Sequence, residues 1–291
     1  MVTDVEGVRV GHWTDARART GCTVVLLPTG TVASGEVRGG APATREFALL
    51  DPTRMVTRLD AVVFSGGSAF GLAAGQGVMD HLAEAGIGFE TVGGPVPIVV
   101  GLSLYDLSVG DAAVRPTAAH GRLAAERATT GPVETGLVGA GTGATVAKWR
   151  GPDHRRPGGL VAATRRGGDG LLVAALVAVN AFGEPGADPG DVADGSVSGS
   201  DLEAAPPGTN TTIGIVVTNA ALDKVGCHLL AQAAHHGLAR SVSPSHTSVD
   251  GDAFVAAATG VVEAELAVVR NLAVAAVSDA ILTLAPRRDP R

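Results

Sequence analysis

Aromatic side chains make up only 3% of this 291-residue chain, with two Trp, one Tyr and six Phe. A core so short of large rings must be filled by Ala, Val and Leu with backbones drawn close together, and 41 glycines suit that need. Cysteine is almost missing as well. Cys22 and Cys227 could make one disulfide at most, which excludes a cystine-stapled scaffold, and the apolar context of each suits a reduced, packed thiol. No uninterrupted apolar run approaches the roughly 18 residues of a membrane helix. The first six residues carry neither a basic segment nor an apolar signal region. These absences predict a soluble, cytoplasmic protein. Basic charge is scarce too: 22 Lys and Arg against 29 Asp and Glu leave a net charge of −7. The pairs Arg155/Arg156, Arg165/Arg166 and Arg287/Arg288 are short and scattered, so they read as solvated loop charges and not as a nucleic-acid surface.

A hydrophobic content of 45% is enough for a substantial core in one large or two ordinary domains. Short β-branched runs recur between glycines at 22–27, 61–65, 96–102, 144–149, 171–179 and 213–218, and read as buried strands. Helical patterns alternate with them at 68–85, 117–129, 219–236 and 263–284. The third has Asn219 as N-cap, an apolar stripe at Leu222, Val225 and Leu229, and Gly237 as terminator. From Gly183 to Asn210 the composition shifts to Gly, Pro, Asp, Ser and Ala, which predicts a mobile linker over residues 184–210, and residues 287–291 read as a disordered tail.

That linker runs into Pro206-Pro207-Gly208-Thr209-Asn210-Thr211-Thr212 and then the apolar strand from Ile213. A Thr hydroxyl behind an Asn carbonyl can attack that carbonyl and pass it to an ester. Hydrolysis would leave Thr211 as a new N-terminus whose α-amine, with a reference pKa of about 7.7–8.0, can take the hydroxyl proton. The same residues equally spell a polar turn leading into a strand. Downstream, Asp250 and Asp252 flank Gly251 and project on one face if extended. Two close carboxylates cannot both ionise freely, so one would hold a proton near neutrality. An acidic turn without chemistry, or oxygen ligation of a metal by His246, Asp250 and Asp252, are the competing readings. Asn180 ends an apolar strand, where it can donate to an oxyanion or simply shape a turn. Tyr105 and Lys148 follow apolar runs and are candidates for a substrate pocket or for amphipathic surface positions. Gly139, Gly141 and Gly143 lack the dinucleotide spacing. The stretch Ser65 to Gly71 has Phe70 where a nucleophile elbow needs Gly, so close backbone packing accounts for both.

Several of these segments occur in order along nearly the whole chain: Val10-Gly11-His12, Gly39-Gly40-Ala41-Pro42, Ser65 to Leu72, Gly139 to Lys148, Asn180, Asn210 to Ala220, and Asp250 to Phe254. Together they resemble the L-aminopeptidase/D-esterase (DmpA-like) family of N-terminal-nucleophile hydrolases. The resemblance implies a four-layer αββα sandwich, one α/β domain over 1–291, made as a precursor and cut into a larger chain, 1–210, and a smaller one, 211–291. It implies Thr211 as nucleophile, Asn180 as oxyanion donor, and Asp250 and Asp252 as polar helpers. The founding aminopeptidases have Ser as nucleophile, with Ser and Glu at the two Asp positions. The Thr, Asp, Asp version, with Tyr105 and Lys148, is similar to the 6-aminohexanoate-oligomer (nylon-oligomer) endo-hydrolase branch.

The expected activity is therefore autoprocessing amide hydrolysis of small peptides or peptide-like amides, with no metal or organic cofactor. The expected partners are a small amide substrate, the protein's own cleaved fragment and further copies in a homo-oligomer, with no nucleic acid and no membrane. Two rivals remain: an acyltransferase resembling the ornithine acetyltransferases, and an uncleaved, non-enzymatic binding protein.

Overall fold

The computed structural model describes residues 1–190 and 209–286. Fourteen strands and four α-helices alternate along these residues. Five strands form the first sheet, in the order β1 (Arg9–Asp15), β2 (Thr20–Leu26), β5 (Ala61–Ser65), β6 (Val99–Ser103), β4 (Ala43–Arg45). The second sheet runs β3 (Val32–Val37), β14 (Ala253–Val262), β12 (Thr211–Ala220), β10 (Leu172–Asn180), β9 (Gly159–Arg166). Each sheet has one parallel pair, β5/β6 and β12/β14, among antiparallel neighbours. Two small ribbons, β7 (Thr145–Val146) with β8 (Arg156–Pro157) and β11 (Glu184–Pro185) with β13 (Val242–Ser243), lie outside the sheets.

Period-two side-chain alternation assigns the layers. On β10, Ala174, Leu176 and Ala178 join Ile213, Ile215 and Val217 of β12 and Val62 and Phe64 of β5 in one core between the sheets. The alternate residues Val173, Ala175, Val177 and Val179 face helices α3 (Lys224–Ser241) and α4 (Leu266–Leu282). Ala61 and Val63 of β5 face α1 (Ala74–Glu84) and α2 (Ala118–Glu126). The result is helices, sheet, sheet, helices, the αββα sandwich expected. Strands apolar on both faces read as continuous runs, which is why 61–65, 171–179 and 213–218 are visible in sequence. Cys22 and Cys227 are free and buried, as packed thiols.

Several boundaries differ from expectation. Helix α3 begins at Lys224 and not near Asn219; its N-cap is Asp223, whose carboxylate accepts from Gly226 N at 2.7 Å. Asn219 stays in β12, and its Oδ1 accepts the Leu172 N–H at 2.8 Å, closing the sheet. Gly237 lies inside α3. A Cβ there would stand 2.8 Å from the Val274 carbonyl oxygen of α4, so this glycine permits close helix packing and terminates nothing. The run 144–149 is a strand for two residues only. Ala147 adopts φ 62° and the chain turns, with the Ala147 amide donating to Gly183 O and those of Lys148 and Trp149 to Phe182 O. The start of the expected linker is structured, because Glu184–Pro185 pairs with Val242–Ser243. Its end is structured too, since Asn210 pairs with Asp250, while residues 191–208 of the linker and the tail 287–291 lie outside the described residues. Strands β1, β3, β9 and β14, and the short β4, β8, β11 and β13, were not anticipated as such.

Candidate active site

The last residue of β10 and the first of β12 face each other: Asn180 and Thr211 are register partners in the antiparallel pair. Both carry the parity of the inter-sheet residues, Asn180 that of Ala178 and Thr211 that of Ile213, so both point between the sheets at one end of the sandwich. Both are buried. The Thr211 hydroxyl donates to the carbonyl oxygen of Asn210, the residue before it. That oxygen also accepts the Gly251 N–H at 2.8 Å, and Asn210 pairs with Asp250 in a parallel bridge. Among the described residues, neither polar atom of the buried Asn210 side chain has a hydrogen-bond partner.

Asn180 is held through both ends of its amide. Its Oδ1 accepts from Thr145 N at 2.9 Å and from Lys148 Nζ at 3.0 Å, while its Nδ2 donates to Tyr105 O at 2.9 Å and to Thr209 O at 3.3 Å. Lys148 Nζ also reaches the Asn180 carbonyl oxygen at 2.9 Å and Thr209 O at 3.3 Å. Burial pushes the Lys148 ammonium down to about 7, against the opposing pull of Asp250. Lys148 thus belongs to the site, whereas Tyr105 takes part through its carbonyl.

The two carboxylates lie in the loop before β14 and are buried. Asp250 Oδ1 accepts from Phe182 N at 3.1 Å, and its Oδ2 accepts from both the amide and the hydroxyl of Thr247. Burial first, and then the neighbouring Asp252, raise the Asp250 carboxyl to about 6. Asp252 Oδ1 accepts from Thr212 N at 2.7 Å; its Oδ2 accepts from His246 N at 3.1 Å and lies 2.9 Å from His246 Nδ1. Thr212, the residue after the nucleophile candidate, is therefore tied to one acid while the bond before it is tied to Gly251. His246 touches Asp252 as a hydrogen-bond partner, and among the described residues no group of three His, Cys, Asp or Glu is placed to hold a metal.

A clamp from the segment after β3 fixes this loop. The amides of Arg38 and Gly39 donate to Asp252 O, and that of Ala41 donates to Asp250 O at 2.8 Å. A Cβ on Gly39 would stand 2.2 Å from Asp252 N, so the Gly39-Gly40-Ala41 motif serves close backbone approach. Gly251 has the same need: its Cβ would meet Ala41 O at 2.7 Å and Thr211 Oγ1 at 2.8 Å. Sequence reasoning did not find Thr145, Thr247 or the role of this clamp. Only Thr247 left a local signal, a hydroxyl three residues before an Asp, as in turns closed by side chains.

The matching family profile is that of peptidase family S58, over residues 1–285. The chain belongs to peptidase family S58. An uncharacterized aminopeptidase of Mycobacterium leprae (strain TN) is 41% identical over 298 residues, spanning 90% of this chain and 79% of that one. A 6-aminohexanoate-oligomer endohydrolase of Paenarthrobacter ureafaciens is 31% identical over 275 residues, spanning 88% and 74%. Among solved structures, a Burkholderia sp. beta-aminopeptidase superposes with a TM-score of 0.73 at 25% identity, covering 97% of this chain and 84% of that one. The L-aminopeptidase D-Ala-esterase/amidase of Ochrobactrum anthropi shares the fold, with a TM-score of 0.74 at 21% identity over 97% and 85% of the two chains.

Proposed function

We propose that this family S58 member is an autoprocessing N-terminal-threonine amidohydrolase of aminopeptidase type, cut between Asn210 and Thr211 and acting on small peptides or peptide-like amides. The observation that carries this reading is the contact of the Thr211 hydroxyl with the carbonyl of the bond it would break, between strands that hold both neighbours rigid. After the cut, the Thr211 α-amine takes the hydroxyl proton as the oxygen attacks the substrate carbonyl. The Asn180 amide, released from Thr209, steadies the substrate oxyanion, and water discharges the acyl-enzyme. Asp250 and Asp252 manage protons and hold the strand start, with Lys148 and Tyr105 beside the substrate. No step of this scheme calls for a metal or organic cofactor. The working protein is a cytoplasmic homo-oligomer of cleaved pairs.

A second reading within the family is endo-attack on amide oligomers. It is favoured by the way the uncut chain lies in its own site: a peptide carbonyl one residue upstream of the scissile bond is held between Asn180 and Lys148. Comparing N-acylated with free-amine substrates separates the two. An acyltransferase would be recognised by capture of the acyl group on an added amine. Intact mass under denaturing conditions tests the central claim. Fragments of 210 and 81 residues are expected, with none from Thr211→Ala. An intact chain after prolonged incubation, or a new N-terminus at Thr212, would refute it.

A further inference from the structure

Self-cleavage of the chain, on the reading above, develops negative charge on one atom, the carbonyl oxygen of Asn210. Asn180 is not the group that meets it, because its Nδ2 donates to Tyr105 O and Thr209 O. Among the described residues, the donor on Asn210 O besides the Thr211 hydroxyl is the backbone N–H of Gly251 at 2.8 Å.

We infer that the Gly251 amide is the oxyanion donor of self-cleavage, a role separate from that of Asn180 in turnover. Three observations carry this. The donor distance is that of a strong amide-to-carbonyl bond. The donor is also fixed before the reaction begins. Asp250 on one side is bound by Phe182, Thr247 and Ala41, and Asp252 on the other by Thr212, His246, Arg38 and Gly39, so Gly251 needs no reorganisation. Finally, residue 251 is glycine for want of space, not for conformation: its φ is not in the left-handed region, and a Cβ would press on Thr211 Oγ1 at 2.8 Å. The amide and the attacking oxygen therefore approach the same carbonyl with nothing between them.

In the step itself, a lone pair of Thr211 Oγ1 forms a bond to the Asn210 carbonyl carbon, and the π pair moves to the oxygen facing Gly251. Collapse restores the carbonyl and breaks the bond to the Thr211 nitrogen, which ends with the proton that Oγ1 lost. Water then splits the ester, leaving the Asn210 carboxyl group and a free Thr211 hydroxyl. A ladder hydrogen bond between β12 and β14, extended one residue before the strand, thereby acquires a chemical use.

The test replaces the Gly251 nitrogen by oxygen, incorporating glycolic acid at that position in the full chain, which deletes the N–H and also weakens the Asp250 carbonyl as acceptor for Ala41 N. An equivalent ester at Ala257, in the middle of the same ladders, controls for the loss of a backbone hydrogen bond. The Gly251 ester is expected to self-cleave roughly 10²–10³ times more slowly, and the Ala257 ester within about threefold of the parent. Cleavage of the Gly251 ester within threefold of the parent, or equal slowing of both esters, overturns the inference. Should the esters not fold, amide hydrogen exchange still decides. The Gly251 N–H should be protected in uncut Thr211→Ala and exchange faster in the cleaved parent, and equal protection in both is the refuting result. A parent chain that never cuts itself would instead refute the proposed function, so the two failures are distinct.

Discussion

Replacing Asp252 by Asn measures whether the acidic loop is a bonded part of the site or a turn that happens to be acidic. As a turn former Asn is as good as Asp, so a plain turn predicts no change. The hydrogen bonds predict otherwise. Both oxygens of the buried Asp252 carboxylate accept from backbone amides, Oδ1 from Thr212 N at 2.7 Å and Oδ2 from His246 N at 3.1 Å. An Asn side chain has one oxygen. Whichever way its amide is turned, an NH₂ faces a backbone N–H, and one donor loses its acceptor, the buried Thr212 N or the part-buried His246 N. The cost of such an orphan is about 1–3 kcal/mol. For a chain of 291 residues this corresponds to a melting point lowered by roughly 2–5 °C.

Thermal unfolding in the uncut Thr211→Ala background is the assay, since it keeps one covalent chain in both samples. A second readout separates charge from fold. Burial is the larger cause of the raised Asp250 carboxyl, and Asp252 is the next, so Asp252→Asn should bring Asp250 below about 6 without restoring an ordinary carboxyl value. Carboxyl carbon NMR reads that titration. A melting point within 1 °C of the background together with an unmoved Asp250 titration would show that the two carboxylates neither bind the strand start nor sense one another.

Two further outcomes follow from buried charge. Lys224 Nζ donates to the carbonyl oxygens of Leu49, Arg54 and Val56 at 2.8, 2.9 and 2.7 Å, tying the start of α3 to the loop before β5. Lys224→Met should cost about 2–4 kcal/mol by urea unfolding, with faster amide exchange over residues 49–56, and a loss under about 0.5 kcal/mol would contradict it. Asp250 has a folded-state value above its unfolded one, so its contribution to stability is complete below about pH 4 and is lost as pH rises through about 6. In the Thr211→Ala background, the stability of the Asp250 chain relative to Asp250→Asn should therefore fall between pH 4 and 6.5, by on the order of 3 kcal/mol. A flat difference across that window would mean that Asp250 is not held as the acid.

The layers of the fold and the residues of the candidate site were legible for different reasons. Strands buried on both faces, such as 61–65 and 171–179, stand out as short apolar runs, and the parity of Ile213, Ile215 and Val217 already carries Thr211 to the face that Asn180 shares. Strands β1, β3 and β9 escaped because polar residues interrupt them, as in Arg9–Asp15, where half-buried His12 and Trp13 sit side by side between buried Gly11 and exposed Thr14 and break the alternation. The start of α3 was misplaced because Asn219 and Asp223 are both good caps. What chose between them was a partner 47 residues away, the Leu172 amide, which claims the Asn219 side chain for the sheet.

The same limit governs the site. Thr211, Asn180, Asp250 and Asp252 are named by residue type and order, but their work depends on bonds between segments far apart in sequence. Lys148 reaches Asn180 across 32 residues, Tyr105 O receives it across 75, and the clamp at 38–41 closes on a loop more than 200 residues downstream. No local pattern encodes those distances. On the proposed function, the uncut chain makes them visible because its own segment stands where a substrate amide would stand. The carbonyls of Thr209 and Asn210 occupy Lys148 Nζ, Asn180 Nδ2 and Gly251 N between them. Departure of that segment would leave these three donors short of an acceptor while the strands hold them in position. On the proposed function, the fold would thus already meet part of the cost of orienting an incoming amide at Asn180 and Lys148, while the Gly251 amide serves self-cleavage.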